Sequence, residues 1–187
     1  GCITQKPIWQ ETPTLARELP AVTPVVDPAR LHRATLANGL QLIVLEDSRL
    51  PRVALGIATR RGAGDEPRER AGLASLTAAL MEREAGDRGA LALAQAVDER
   101  GAKLGVQASW DSMDVEVAGL TRDLDFLFAI LGDVTLRPVF STEELRRIRA
   151  NKIGTLERGK DDPETLARSA MKEVLYPEHR YGLPVEG

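Results

Sequence analysis

The segment RATLANGLQLIVL, residues 33–45, places two apolar runs on either side of Asn38 and Gly39. Both of these residues tolerate the positive φ that a tight hairpin turn requires. The segment therefore predicts a β-hairpin. A third strand is predicted for residues 53–59, where side chains alternate in character, and a glycine-rich charged loop follows at 60–67.

The rest of the chain alternates between helical and strand-like periods. Helices are predicted at 70–84, 90–99, 121–131, 141–158 and 163–175, and strands at 103–109 and 113–117. The two short strands are separated by three residues and predict a second hairpin. Two hairpins, one further strand and five helices predict an α+β fold of two layers, in which helices cover one face of a largely antiparallel sheet.

The first 32 residues differ in composition from the remainder. Five prolines punctuate this stretch, which has no sustained period and predicts an extended N-terminal tether: Pro7, Pro13, Pro20, Pro24 and Pro28. Residues 33–187 are then the folded domain. The Gly-Cys start resembles the mature end of a bacterial lipoprotein, so Cys2 is a candidate lipidation site that would tether the chain to a membrane in the bacterial periplasm or cell envelope. A free thiol and a cloning remnant are the alternatives.

Composition excludes several classes of protein. The 187 residues carry 25 Lys and Arg against 28 Asp and Glu, a formal net charge of −3. The two signs are interleaved along the chain, so no nucleic-acid partner is predicted. Apolar runs fall well short of the roughly 18–20 residues that span a bilayer, and the single cysteine cannot form a disulfide within the chain.

Histidine is scarce. A catalytic zinc ion takes three protein ligands, drawn from His, Glu, Asp and Cys. The only two histidines, His32 and His179, lie far apart, and neither has a second histidine one helical turn away. We interpret His32 as a surface residue just ahead of a strand and His179 as a turn residue.

Other candidate sites favour structural roles. The glycine-rich residues 60–64 lack the pattern of a phosphate-binding loop and predict a turn. Asp161 and Asp162 precede a proline at a helix start, which favours capping over a metal pair. Ser75 lies in an apolar helix without a nearby histidine and is a weak nucleophile candidate. Trp110 is expected to be an aromatic residue at a hairpin tip or a sheet edge, in preference to a ligand platform.

Several short segments, in this order and spacing, nevertheless resemble the insulinase-like, pitrilysin-type zinc peptidases, the group that includes the mitochondrial processing peptidase. The resemblance runs from Thr35 to the end of the chain. The segments are LANGLQLIVL (36–45), GAGDEP (62–67), AGLA (71–74), ERGA (99–102), RPVF (137–140) and YPEHRYGLP (176–184), with Gly187. The resemblance implies the fold of the N-terminal half of a processing-peptidase-like protein. Because that half normally continues further, it also predicts that this chain stops before the end of its first sheet.

The zinc motif of the active members is missing. In them, an inverted His-x-x-Glu-His motif on a helix follows Gly-Leu-Ala, with two zinc ligands and a general base. The corresponding positions here are Ser75, Ala78 and Ala79. The third ligand is a glutamate on the long helix, and counting back from Asp-Asp-Pro reaches Gly154 and Thr155, with Glu157 close by. The resemblance thus implies no catalytic residue and no bound cofactor in this chain.

The resemblance also implies a peptide-binding strand. Family members bind substrates as an added strand along the edge strand after the second helix, which corresponds here to Leu104, Gly105, Val106, Gln107, Ala108 and Ser109. An ordinary sheet edge is the alternative. The leading hypothesis is a non-catalytic subunit that pairs with an active, zinc-bearing partner and contributes to binding extended peptides. A membrane-tethered structural or assembly protein is the second hypothesis, and an active zinc endopeptidase is the least favoured.

Overall fold

The computed structural model describes residues 27–187, and the chain divides after Leu50 into two units. In the first unit, β1 (Leu31–Thr35) and β2 (Gln41–Leu45) pair antiparallel. Gly39 occupies the turn at φ +84°. The predicted hairpin is confirmed.

This hairpin begins two residues earlier than expected. A short 3-10 turn over Pro28–Arg30, capped by the Asp27 carboxylate, leads directly into β1. His32 therefore lies within the strand, not ahead of it, and its side chain is exposed. The Cys2 lipidation site and nearly all of the predicted tether lie outside the described residues.

The second unit, Pro51–Gly187, contains a three-stranded antiparallel sheet. Its strands are β3 (Arg52–Thr59), β4 (Lys103–Ala108) and β5 (Met113–Leu120), in the order β3-β5-β4. The second predicted hairpin is formed by β4 and β5. The largely antiparallel character of the fold is confirmed, and the strands described form two separate sheets.

Five α-helices complete the second unit, as the sequence predicted. They are α1 (Leu73–Met81), α2 (Ala90–Asp98), α3 (Leu124–Leu136), α4 (Thr142–Gly159) and α5 (Pro163–Leu175). The Ser141 hydroxyl caps α4 by accepting from the Glu144 N–H, and the Asp162 carboxylate caps α5. No helix among residues 27–187 is long and apolar enough to cross a membrane.

The core lies between one face of the three-stranded sheet and helices α1, α2 and α3. Alternate residues of each strand point into it, which is the period-2 pattern expected of a half-buried sheet. Its most buried side chains come from β5, α2 and α3: Val117, Leu93, Leu127, Ile130 and Val134. The two-layer architecture predicted from the order of elements is thus observed.

Both boundaries of α1 and both boundaries of α3 differ from the prediction, and α1 ends at Met81 where the expected end was residue 84. Helix α1 was expected from residue 70, but Gly72 adopts φ +93°, so the helix begins only at Leu73. Helix α3 was expected to end at residue 131 and continues to Leu136, where Pro138 disfavours helical geometry at the residue before it. At its start, Thr121–Asp123 form a 3-10 turn.

The buried face of α1 agrees with the expected one only in part: Leu80 and Met81 are buried, as the apolar pattern predicted. The apolar pattern placed Leu73 toward the core, yet Leu73 is 47 % exposed. The small residues Ala74 and Ala78, which the predicted face did not include, are buried together with Met81. These positions recur at the i, i+4, i+7 spacing of one helix face, so α1 approaches the sheet through its alanines.

Candidate functional site

A carboxylate from the preceding loop holds the start of α1. Glu66 accepts a hydrogen bond from the Gly72 N–H at 2.8 Å through one oxygen and from the Ala74 N–H through the other. These are amide groups that a helix start leaves without partners. Because the capping group comes from six residues upstream, the first turn of α1 is fixed to this loop.

The same loop is fixed to the tip of the β4–β5 hairpin. The Ala63 N–H donates to the Ser109 carbonyl at 2.8 Å, and the Gly64 N–H donates to the Trp110 carbonyl at 2.7 Å. A Cβ at Gly64 would lie 2.5 Å from that carbonyl oxygen, so only glycine fits there. The loop is a turn, as predicted, and it connects the first turn of α1 to the tip of the β4–β5 hairpin.

The three positions assigned to the zinc motif lie on α1. Ser75 is half-buried in the first turn, Ala78 is buried in the core at 3 % exposure, and Ala79 is half-buried. Their side chains are one hydroxyl and two methyl groups. Methyl groups can neither bind a metal ion nor accept a proton from water.

Ser75 has a partner that sequence reasoning missed. The Lys152 Nζ, on α4, donates a hydrogen bond to the Ser75 Oγ at 2.6 Å. Both side chains are half-buried. The two residues are 77 positions apart. The available signal was that Lys152 precedes Gly154 and Thr155, the positions counted for the third zinc ligand, by two and three residues.

Those counted positions carry no ligand. Gly154 has no side chain, and the Thr155 hydroxyl donates to the Asn151 carbonyl at 3.0 Å within the helix. Thr155 also accepts a hydrogen bond from Arg158 at 3.0 Å. Glu157, the nearest carboxylate, is exposed. Near Gly154 and Thr155, α4 therefore has the Lys152 ammonium and a threonine hydroxyl that is hydrogen-bonded within the helix.

These residues do not fit a zinc ion. Zinc is bound by thiolate, imidazole or carboxylate groups, and the Lys152 ammonium would add a positive charge beside it. Within residues 27–187, no three or more His, Cys, Asp or Glu side chains are arranged to hold a metal ion. His32 faces Glu46 at 3.7 Å, and His179 caps a 3-10 turn.

The predicted peptide-binding residues 104–108 all lie in β4, which pairs with β5 alone in the part of the chain that the structure describes. The Ser109 N–H donates to the Ser112 carbonyl at 2.8 Å. Because bonded and non-bonded pairs alternate along an antiparallel ladder, the peptide groups of Leu104, Val106 and Ala108 point away from β5. They form a row of main-chain donors and acceptors at the sheet edge.

Trp110 stands at the hairpin tip, as predicted, and binds the C-terminal segment. Its Nε1 donates to the Leu183 carbonyl at 3.1 Å, and its ring lies 4.7 Å from the Lys172 Nζ. The Tyr181 ring packs against it at 5.8 Å. The indole therefore connects the hairpin, α5 and the last residues of the chain.

Tyr181 strengthens the same connection. Its hydroxyl donates to the Asp111 carboxylate at 2.8 Å, and this hydrogen bond raises the pKa of Tyr181 above its ordinary value, with burial adding to the effect. The His179 Nδ1 accepts from the Tyr181 N–H at 3.2 Å, which places His179 in a turn, as predicted. An open cleft of about 570 Å³ lies along this segment.

The fold and the site together define a two-layer α+β domain whose α1 face carries no metal-binding chemistry. The chain belongs to the insulinase family of peptidases, family M16, since the model of that family matches residues 42–187. The resemblance seen in the sequence is thereby confirmed at the level of the family.

Solved structures with the same fold include an inactive M16 peptidase domain of Pseudomonas fluorescens. It is 23 % identical with a TM-score of 0.79, over 84 % of this chain and 38 % of that one. The periplasmic protease PqqL of Escherichia coli is 18 % identical with a TM-score of 0.77, over 87 % of this chain and 19 % of that one.

The relatives found by sequence include one named as a zinc protease and one named as a non-peptidase homolog. An uncharacterized zinc protease of Mycobacterium leprae is 24 % identical over 159 residues, covering 85 % of this chain and 36 % of that protein. A non-peptidase homolog of Helicobacter pylori, YmxG, is 23 % identical over 148 residues, covering 79 % of this chain and 34 % of that protein. The chain thus spans about a third of the length of these relatives.

Proposed function

We propose that this chain is a non-catalytic M16 family member that binds extended peptides along β4 and works beside an active, zinc-bearing partner subunit. One observation carries the proposal. The positions for metal and base hold Ser75, Ala78 and Ala79, whereas β4 has a row of peptide groups that no other strand among residues 27–187 pairs with. The side chains that peptide cleavage needs are absent from these positions, whereas β4 has main-chain groups that can bind a peptide.

The α1 positions have neither the metal ligands nor the general base that zinc catalysis needs. A zinc peptidase needs an ion that lowers the pKa of bound water and a base that takes its proton. Ala78 replaces the base, and neither Ser75 nor Ala79 can replace an imidazole ligand. Removing all three groups eliminates the mechanism, so no residual hydrolysis through this site is expected.

Peptide binding at β4 depends on different atoms. Strand addition uses main-chain hydrogen bonds, which are independent of side-chain chemistry. Leu104, Val106 and Ala108 direct their peptide groups to the open side. The names of the Pseudomonas inactive domain and the Helicobacter non-peptidase homolog support a non-catalytic role for this chain.

The test uses a proline at the sheet edge in the full-length protein. Proline at position 108 removes the outward N–H and spares the ladder to β5, a placement that edge strands tolerate. Ala108→Pro should weaken binding of an extended fluorescent peptide, whereas Ala108→Ser, which keeps the N–H, should not. Equal binding by both variants would exclude β4 as the peptide site.

A second candidate function is a structural or assembly role without peptide. It is favoured by the large apolar side chains that α4 and α5 expose, namely Leu145, Ile153, Leu156, Leu166, Met171, Val174 and Leu175. Such a surface suits contacts with other protein segments. A stable complex that binds no peptide would support this candidate over the first.

We also propose that the chain is attached to the bacterial cell envelope through a lipid on Cys2. The support is the Gly1–Cys2 pair directly ahead of proline-rich sequence. Metabolic labelling with a fatty acid should mark the natural protein and not the Cys2→Ser variant. Labelling of both, or of neither, would contradict the anchor.

A further inference from the structure

We propose that Lys152 and Ser75 form a carboxylate anchor for the peptide that β4 binds. The inference rests on the proposed function and adds a substrate property to it: the bound peptide places a carboxylate beside the first turn of α1. The carboxylate is a C-terminal group or an acidic side chain, since both offer the same two oxygens.

The charge of Lys152 is the first argument. Among the described residues, the ion pairs involve cations other than Lys152, and Lys152 donates a hydrogen bond to a neutral hydroxyl. A half-buried ammonium without a counterion is costly, because burial removes part of its hydration. Lys152 therefore favours an anionic ligand.

The donor geometry is the second argument. A lysine ammonium has three N–H donors and no acceptor, and one of them is used by Ser75. The Ser75 oxygen accepts that bond, so its own O–H is left to donate. Two donors 2.6 Å apart can face the two oxygens of a single carboxylate.

Position is the third argument. The loop before α1 bonds to the carbonyls of Ser109 and Trp110, and its Glu66 caps the first turn of α1. Ser75, in that turn, is therefore joined through this loop to the hairpin tip that directly follows Ala108. A peptide extended along β4 would bring one end, or a side chain near that end, toward the anchor.

The experiment uses one apolar peptide in four forms with the full-length protein. The forms are a free C-terminal carboxylate, a C-terminal amide, the amide with one glutamate, and the amide with glutamine in its place. Wild type should bind at least one carboxylate-bearing form about tenfold more tightly than its neutral match, the effect of one charge-assisted hydrogen bond. Lys152→Met should lose this preference, and Lys152→Arg should keep part of it.

The outcomes separate the two proposals. If all four forms bind wild type equally and Ala108→Pro abolishes binding, the anchor is wrong and the peptide-binding function stands. If no form binds, both fail. A carboxylate preference that persists in Lys152→Met would also overturn the anchor, provided that circular dichroism shows the variant folded.

Discussion

Lys152 on α4 donates a hydrogen bond to Ser75 on α1 at 2.6 Å, across 77 positions of sequence. The contact connects the helix to which the resemblance assigns the zinc-motif positions with the helix to which it assigns the third zinc ligand. The Lys152 ammonium group thus lies beside Ser75, the position assigned to the first metal ligand.

The first prediction concerns the stability that this contact provides. A half-buried hydrogen bond from a charged donor should couple the two side chains by about 1 kcal/mol. The free energies of unfolding of Ser75→Ala, Lys152→Met and the double variant, measured by denaturant titration, form the cycle that gives this coupling. Strictly additive effects would show that the two groups do not interact.

The second prediction concerns restoration of a metal site. Rebuilding the motif as Ser75→His, Ala78→Glu and Ala79→His, with Thr155→Glu as third ligand, should still give weak zinc binding because Lys152 repels the ion. Adding Lys152→Ala should strengthen the zinc affinity about tenfold. Identical affinities with and without Lys152, measured by competition with a zinc dye, would contradict this explanation.

The third prediction concerns Gly72, at the start of α1. Its φ is +93°, and a Cβ there would collide with the Glu186 carbonyl oxygen. Gly72→Ala should therefore lower the free energy of unfolding by about 1–3 kcal/mol. The control is Gly132→Ala in the interior of α3, where a Cβ meets no atom within 4 Å and helix propensity predicts a gain of up to about 1 kcal/mol.

The fourth prediction concerns pH. The hydrogen bond from Tyr181 to Asp111 favours the neutral phenol, so the pKa of Tyr181 lies above its ordinary value of 10.0. A raised pKa means that this contact stabilises the fold below pH 10.0 and is lost as the pH rises through the raised value. In an ultraviolet titration, the difference between wild type and Tyr181→Phe should show one tyrosine that ionises late.

Asp111→Asn provides the control for that titration. It keeps a group that can accept from the phenol but removes the negative charge, so the late ionisation should move back toward pH 10.0. If the Tyr181 component ionises at its ordinary pH in wild type, the hydrogen bond to Asp111 is absent in solution.

Much of the fold could be predicted because its signals are local. Asn38 and Gly39 are adjacent in sequence and both contribute to the turn: Gly39 adopts the predicted positive φ, whereas Asn38 does not and instead accepts a hydrogen bond from the Leu40 N–H through its side chain. The caps Ser141 and Asp162 likewise act within three residues of their own positions. Element type and order, and hence the two-layer architecture, follow from such signals.

The misplaced start of α1 had a non-local cause. Its cap is Glu66, six and eight residues before the amides that it binds, and Gly72 interrupts the helical geometry between them. Neither the Glu66 cap nor the backbone conformation of Gly72 can be predicted from helical periodicity. The contact of Lys152 with Ser75 was not predicted for the same reason, since it forms only when α4 packs on α1.

The central claim is that this M16 family member has no catalytic zinc site. The most direct test is to purify the full-length protein, saturate it with zinc, measure bound metal by mass spectrometry and assay peptide hydrolysis in the same sample. We predict no bound zinc and no hydrolysis, with peptide binding retained. One zinc ion per chain together with hydrolysis would contradict the account.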